Sequence, residues 1–225
     1  MSVFNFYGRI WGRRLSPKLQ FVHDHVLPLV DCSEVVLDQA NSLITHNLSW
    51  WMEIGFGDGV HLRAQLENYP HVHFLGVEVF RPGIVHCLQE LSQEEQKRLL
   101  IFPHNVHLLM PKLPLERFEK IFILFPDPWP KQRHHKRRLL QSAFLTQCWN
   151  VLKNEGQLII ASDVVPFIHW MQQQLKAHEG FRFVQGACTS DPKEWPQWPA
   201  EFPLSTYAKK ALHKTYFIWK KIRDR

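Results

Sequence analysis

From residue 49 onward, short runs rich in β-branched and aromatic residues alternate with stretches whose apolar positions recur at helical spacing. The short runs predict strands at Trp50–Gly55, His73–Val79, Leu100–Pro103, Lys120–Phe125, Gln157–Ser162, Phe181–Gln185 and Thr215–Lys221. Helical spacing with few interior breakers predicts helices at Val60–Asn68, Pro82–Leu91, Lys136–Leu152 and Val165–Lys176. Strands separated by helices predict an α/β fold, a mainly parallel sheet with helices on both faces. The last two strands are joined by a long loop, Ala187–Lys214, which holds Trp195, Trp198, Pro192, Pro196, Pro199 and Pro203. Loops of that length are usually functional or disordered. Ahead of the sheet, the amphipathic segment Pro17–Val30 predicts an extra helix lying against the domain.

Composition adds a partner class to this outline. With 45% apolar and 21% charged residues, the 225-residue chain reads as a globular protein with one sizeable core. The excess of 27 Lys and Arg over 21 Asp and Glu favours polyanions, and the cations concentrate in Arg9 to Lys18, Lys131 to Arg138 and Lys209 to Lys221. The sequence shows neither an uninterrupted apolar leader nor an apolar run near the roughly 20 residues of a membrane span. Cys32, Cys87, Cys148 and Cys188 stand far apart without a CxxC pair, so reduced thiols are expected and no metal site. A cytoplasmic protein, monomer or homodimer, is the expectation.

The run Trp51-Met52-Glu53-Ile54-Gly55-Phe56-Gly57-Asp58-Gly59 ends the first strand with an acid and three alternate glycines. Such glycines permit a tight turn and close backbone approach to a ligand beyond the carboxyl ends of the strands. A dinucleotide fingerprint would need glycine where Val60 stands, which disfavours an NAD-dependent dehydrogenase. The turn resembles the first motif of class I methyltransferases, whose ligand carries a cationic sulfonium rather than a pyrophosphate. Glu78 ends the second strand, where a carboxylate can accept two ribose hydroxyls. Asn105 follows the third strand, placed either for an adenine ring or as a helix cap before Val106.

The fourth strand runs into Phe125-Pro126-Asp127-Pro128-Trp129-Pro130-Lys131, where three prolines limit the backbone and fix where Asp127, Trp129 and Lys131 point. Arg133, His135, Arg137 and Arg138 follow within a basic run suited to phosphate contact, read here as the start of a helix. Together with EIGxGxG, GVE and a late Ser162-Asp163, the stretch FPDPWPKxRHHKRRL resembles the signature of bacterial tRNA (guanine-N7)-methyltransferases. Tyr7-Gly8-Arg9 and Gly12-Arg13-Arg14 are similar to that family's basic N-terminal stretch.

The resemblance implies a Rossmann-like class I methyltransferase fold of seven strands, the last antiparallel. Residues 1–48 would then be a basic extension packed on a methyltransferase domain, 49–225, forming a single domain overall. It implies S-adenosylmethionine as cofactor, tRNA as substrate, and methylation at N7 of guanine 46 in the variable loop. Glu53, Gly55, Gly57, Gly59, Glu78, Asn105 and Asp127 fall on cofactor positions, with Asp127 also catalytic. Lys131 and Asp163 fall on substrate positions, and the late substrate motif aligns with Ser205-Thr206-Tyr207-Ala208. Ser205 and Tyr207 are candidate substrate contacts there, but the family's glutamate is absent at Ala208. Trp198 and Phe202 likewise stand where relatives carry arginines. Two rival readings remain: an RNA-binding protein with a relic cofactor fold, and an exocyclic-amine methyltransferase with a related Asp-Pro turn.

Overall fold

The computed structural model describes residues 9–187, 189–199 and 214–222. The chain divides into two compact units, one ending at Pro114 and the other starting at Leu115. In the first unit, β1 (Ser49–Ile54), β2 (Val72–Val77) and β3 (Leu99–Phe102) are parallel in the order β3-β2-β1. Nearly every position of these strands is buried, so they read as continuous apolar runs rather than alternations. Parallel strands need crossovers, supplied by α4 (Val60–Asn68) after β1 and α5 (Arg81–Gln89) after β2. Two short helices, α6 (Gln93–Gln96) before β3 and α7 (Val106–Leu109) after it, flank that strand.

The N-terminal part is more helical than its pattern suggests. The segment Pro17–Val30 forms two pieces, α1 (Pro17–His25) and α2 (Leu27–Val30), because Pro28 lacks the amide a continuous helix would use. A third helix, α3 (Ser33–Leu43), was not anticipated; Asp31 opens it by accepting from the Ser33 amide at 2.9 Å. The start of this stretch is tied to β3 by a bridge between Asp31 and Ile101 and by the bond from the Cys32 amide to Ile101 O at 2.9 Å.

In the second unit the order is β4-β5-β7-β6, where β4 (Phe118–Leu124) and β5 (Leu152–Ser162) are parallel. The last strand, β7 (Thr215–Lys221), runs antiparallel between β5 and β6 (Phe181–Gly186), as expected. Its end is anchored by Lys221, only 2% exposed, which donates to Glu116 Oε1 and Leu152 O, both at 3.0 Å, and lies 4.1 Å above the Trp149 ring. Helix α9 (Val165–Lys176) has the expected bounds. The helix expected over Lys136–Leu152 is shorter: α8 begins at Ser142, and Gln132–Arg137 forms a separate 3-10 turn. Starting α8 after the basic run keeps that run off a helix N-terminus already at positive potential.

Cys32, Cys87 and Cys148 are buried. Burial pushes the thiols of Cys32 and Cys87 up to about 12 and that of Cys148 higher than its ordinary value. Because the thiolate is the reacting form, the native protein should leave all three unalkylated by iodoacetamide at about pH 8. Unfolding should expose them. Peptide mass spectrometry before and after denaturation checks this, and rapid native labelling of Cys87 would contradict the packing of α5.

Candidate functional site

β1 gives way to the glycine turn at Gly55, whose amide bonds to Val77 O at 2.7 Å. Gly55, Gly57 and Gly59 all take left-handed backbone conformations, with φ of 76°, 59° and 73°. A side chain at Gly59 would also strike Cys87 Sγ, and one at Gly83 would strike Gly57 O, so α5 sits against this turn. At Gly55 and Gly57, by contrast, an added Cβ would meet nothing within 4 Å. The turn is packed on its α5 side and open beyond its first two glycines.

Glu78 lies just past β2 and organises this region. Its Oε2 accepts from the Gly57 amide at 2.8 Å, and its Oε1 accepts from the amides of Val79 and Phe80 at 2.7 and 2.9 Å. A carboxylate offers about four lone-pair sites, so the half-buried group retains acceptor capacity. Glu53 is 2% exposed and pairs through Oε2 with His61 Nδ1 at 2.8 Å, joining β1 to the first turn of α4. His61 escaped the sequence reading, since a lone histidine on a helix carries no local signal. Asn105 is the N-cap of α7, its Oδ1 accepting from the His107 amide at 3.0 Å. The cap alternative is therefore realised, and the side-chain amide donors are the part left for a ligand.

In the second unit, β4 ends in a turn with two further left-handed residues, Phe125 at φ 54° and Trp129 at φ 42°. Neither is glycine, and each such residue costs of order 1–3 kcal/mol unless its surroundings hold it. The Phe125 amide bonds to Ala161 O at 2.9 Å, and its ring lies 5.6 Å from Trp198. The Trp129 ring has the Arg137 guanidinium 5.0 Å above it and His134 at its edge. Asp127, between these two residues, is exposed and forms no hydrogen bond among the described residues.

The basic run does not act as one unit. Lys131, Arg133 and Lys136 are exposed, while His134, His135 and Arg137 are half-buried. Lost hydration, and then the nearby Arg137, Arg133 and Lys131 cations, lower the His134 pKa from its ordinary value. Arg138 departs from the role expected of it. It is 6% exposed, its Nε donates to Pro128 O at 2.9 Å and its Nη2 to Trp129 O at 3.4 Å, so it faces protein instead of phosphate.

Asp163 is exposed at the end of β5. The N-cap of α9 is Val164, whose amide bonds to Ser162 Oγ at 3.2 Å, so Asp163 does not cap this helix. In the late loop, Trp195 donates to Thr189 O at 3.2 Å and meets His169, while Trp198 packs on Phe125 and Tyr216. These two tryptophans serve as loop anchors. Ser205 and Tyr207, like Phe202, Ala208, Tyr7 and Gly8, lie outside the described residues. Among the described residues, no group of three or more His, Cys, Asp or Glu could hold a metal, and no helix is long and apolar enough to cross a membrane.

Known proteins resemble this chain over most of its length. A family model described as "Putative methyltransferase" matches residues 48–220. A protein of Rhodospirillum rubrum named tRNA (guanine-N(7)-)-methyltransferase is 34% identical over 92% of this chain and 82% of its own length. One of the same name from Paramagnetospirillum magneticum is 36% identical over 92% of this chain and 87% of its own length. Among solved structures, an antibiotic-related methyltransferase superposes with a TM-score of 0.54 at 16% identity, covering 84% of this chain and 94% of that one, a likeness of fold. With the glycine turn, the Asp127 turn and matches of this extent, the chain belongs to the tRNA (guanine-N7)-methyltransferase family.

Proposed function

We propose that this protein transfers the methyl group of S-adenosylmethionine to N7 of a guanine in tRNA, forming 7-methylguanosine at guanine 46 of the variable loop. The observation that carries this reading is the exposed Asp127 carboxylate, set between two prolines and followed at once by exposed cations. A base edge needs a fixed acceptor, and the backbone around it needs positive charge. The names of the relatives support the same substrate.

The glycine turn fits the cofactor on its own geometry, being open beyond Gly55 and Gly57 and edged by the Glu78 carboxylate. Glu78 would hold the ribose hydroxyls and the Asn105 amide the adenine, while buried Glu53 keeps β1 and α4 in register through His61. When bound, S-adenosylmethionine supplies an electrophilic methyl group. Guanine N7 already presents a lone pair, so the protein's task is alignment, which in well-oriented systems contributes roughly 7 to 11 kcal/mol. Asp127 would accept hydrogen bonds from the guanine edge and offset the positive charge that grows on the base. N7 faces the deep major groove of RNA helices, so the guanine must be displaced to reach it. Lys131, Arg133 and Lys136 would hold the flanking backbone, with Asp163 as a second acceptor.

The direct test incubates the protein with labelled S-adenosylmethionine and unmodified tRNA, then maps the modified nucleotide by mass spectrometry. Label in 7-methylguanosine supports the reading; label on an exocyclic amine, or none at all, overturns it.

Replacing Asp127 with Ala should lower single-turnover methylation roughly a hundredfold, about 2.7 kcal/mol of barrier. The melting temperature should hold, because the carboxylate is exposed and unpartnered among the described residues. Near-normal turnover in the folded variant would leave this turn as scaffold.

Changing Lys131, Arg133 and Lys136 together to Gln should weaken tRNA binding and reduce the slope of log affinity against log salt by about 2. Cofactor affinity should not follow; if both ligands weaken in parallel, the run is structural.

For the cofactor turn, Glu78→Ala should reduce S-adenosylmethionine affinity by about tenfold or more in calorimetry, the scale of a lost charged hydrogen bond. Unchanged affinity would confine Glu78 to ordering its own loop.

A further inference from the structure

Arg138 has no use in the mechanism above, yet it is the most buried cation of the basic run. It closes the 3-10 turn Gln132–Arg137 and is only 6% exposed. It donates from Nε to Pro128 O at 2.9 Å and from Nη2 to Trp129 O at 3.4 Å, two consecutive carbonyls just after Asp127. Pro128 and Pro130 have no amide hydrogen, so this turn offers few donors of its own to fix its carbonyls. A planar fork of N–H groups holds both carbonyls in a fixed relative geometry, which a lysine's rotating ammonium does not impose.

The opposite side of the same guanidinium faces α9. Its central carbon lies 5.3 Å from the Phe167 ring centroid and 4.8 Å from that of Trp170, and these two rings stack 5.6 Å apart at 12°. Aromatic faces of this kind compensate a cation withdrawn from water. Helix α9 starts two residues after Asp163. A single side chain therefore touches both the turn that carries Asp127 and the first turn of the helix that follows Asp163. Trp129, one of the two residues whose carbonyls it holds, is also one of the two left-handed residues of that turn, at φ 42°.

We propose that Arg138 is a positioning residue for methyl transfer: its buried guanidinium clamps the Asp127 turn to α9 and so sets where the two acids stand for the base. The proposal rests on the reading of Asp127 as the group that meets guanine. It separates Arg138 from the exposed cations around it, which bind RNA by charge.

The test compares full-length wild type with Arg138→Met, which keeps bulk against the stacked aromatic pair and removes the fork, and with Arg138→Lys. In steady-state methylation of unmodified tRNA, Arg138→Met should lose roughly tenfold to a hundredfold in kcat, the range that a displacement near 1 Å causes. The KM for tRNA and the salt dependence of binding should stay within about twofold, and Arg138→Lys should recover only part of the loss. A raised KM with a flattened salt slope and an intact kcat would make Arg138 a phosphate contact and overturn the proposal.

In an Asp127→Ala background, Arg138→Met should cost less than about threefold more, since the acid whose turn it holds directly is gone and only Asp163 is left to position. Losses that multiply would show that Arg138 acts elsewhere. A readout independent of activity is ¹⁹F NMR of protein labelled with 5-fluorotryptophan, where the Trp129 and Trp170 resonances should both move in Arg138→Met and Arg138→Lys. If neither moves in a folded variant, the clamp is refuted. That result is separable from failure of the methylation reading, which would appear in the wild-type product alone.

Discussion

The functional turns of this chain leave the carboxyl ends of strands in left-handed backbone conformations, and each must be held there. After β1 the conformation falls on Gly55, Gly57 and Gly59, where the absent Cβ makes it nearly free of strain. After β4 it falls on Phe125 and Trp129, which gain no such relief. The two turns therefore need different support. The first needs room: the missing Cβ of Gly83 clears Gly57 O, and that of Gly59 clears Cys87 of α5. The second needs contacts: Trp198 on Phe125, Arg137 on Trp129, and Arg138 on the carbonyls of Pro128 and Trp129.

That difference shapes the chemistry each turn can do. A glycine turn leaves amides and empty space near the backbone, and Glu78 uses one of those amides while keeping acceptor capacity for a ligand. The proline-clamped turn instead projects a single carboxylate, Asp127, from a rigid frame. Rigidity matters more than basicity for a nucleophile such as guanine N7, because alignment is what the reaction lacks. Glu53 differs again: its acid is buried against His61 and joins β1 to α4 beside the glycine turn.

Charge alone proves a poor guide to role. Between Lys131 and Arg138 the same kinds of cation take three environments: exposed, stacked on Trp129, and sealed against the stacked pair Phe167 and Trp170. The exposed cations remain available to a polyanion. The sealed one has exchanged water for carbonyls and aromatic faces, so it holds protein to protein. Similarly, the aromatic rings of Trp195 and Trp198 in the late loop are engaged by His169, Phe125 and Tyr216.

By itself the sequence determined the strand–helix alternation, the bounds of α4, α9 and β7, the positions of the glycine turn and of the proline-clamped turn, and, through their motifs, the family. These are local properties, written in periods of burial and in residues with unusual backbone preferences, and they survive without knowledge of what lies across the fold. Tertiary structure decided which members of the basic run face outward, that Asn105 caps a helix while Asp163 does not, that Glu53 meets His61, and that the helix expected from Lys136 starts only at Ser142. Each of those outcomes depends on a partner distant in sequence or on the choice between two local hydrogen bonds of similar strength. Arg138 is the clearest case: its neighbours in the chain mark it as a phosphate ligand, and only the arrival of Phe167 and Trp170 from the next helix, together with two carbonyls ten and nine residues back, makes burial of its charge tolerable.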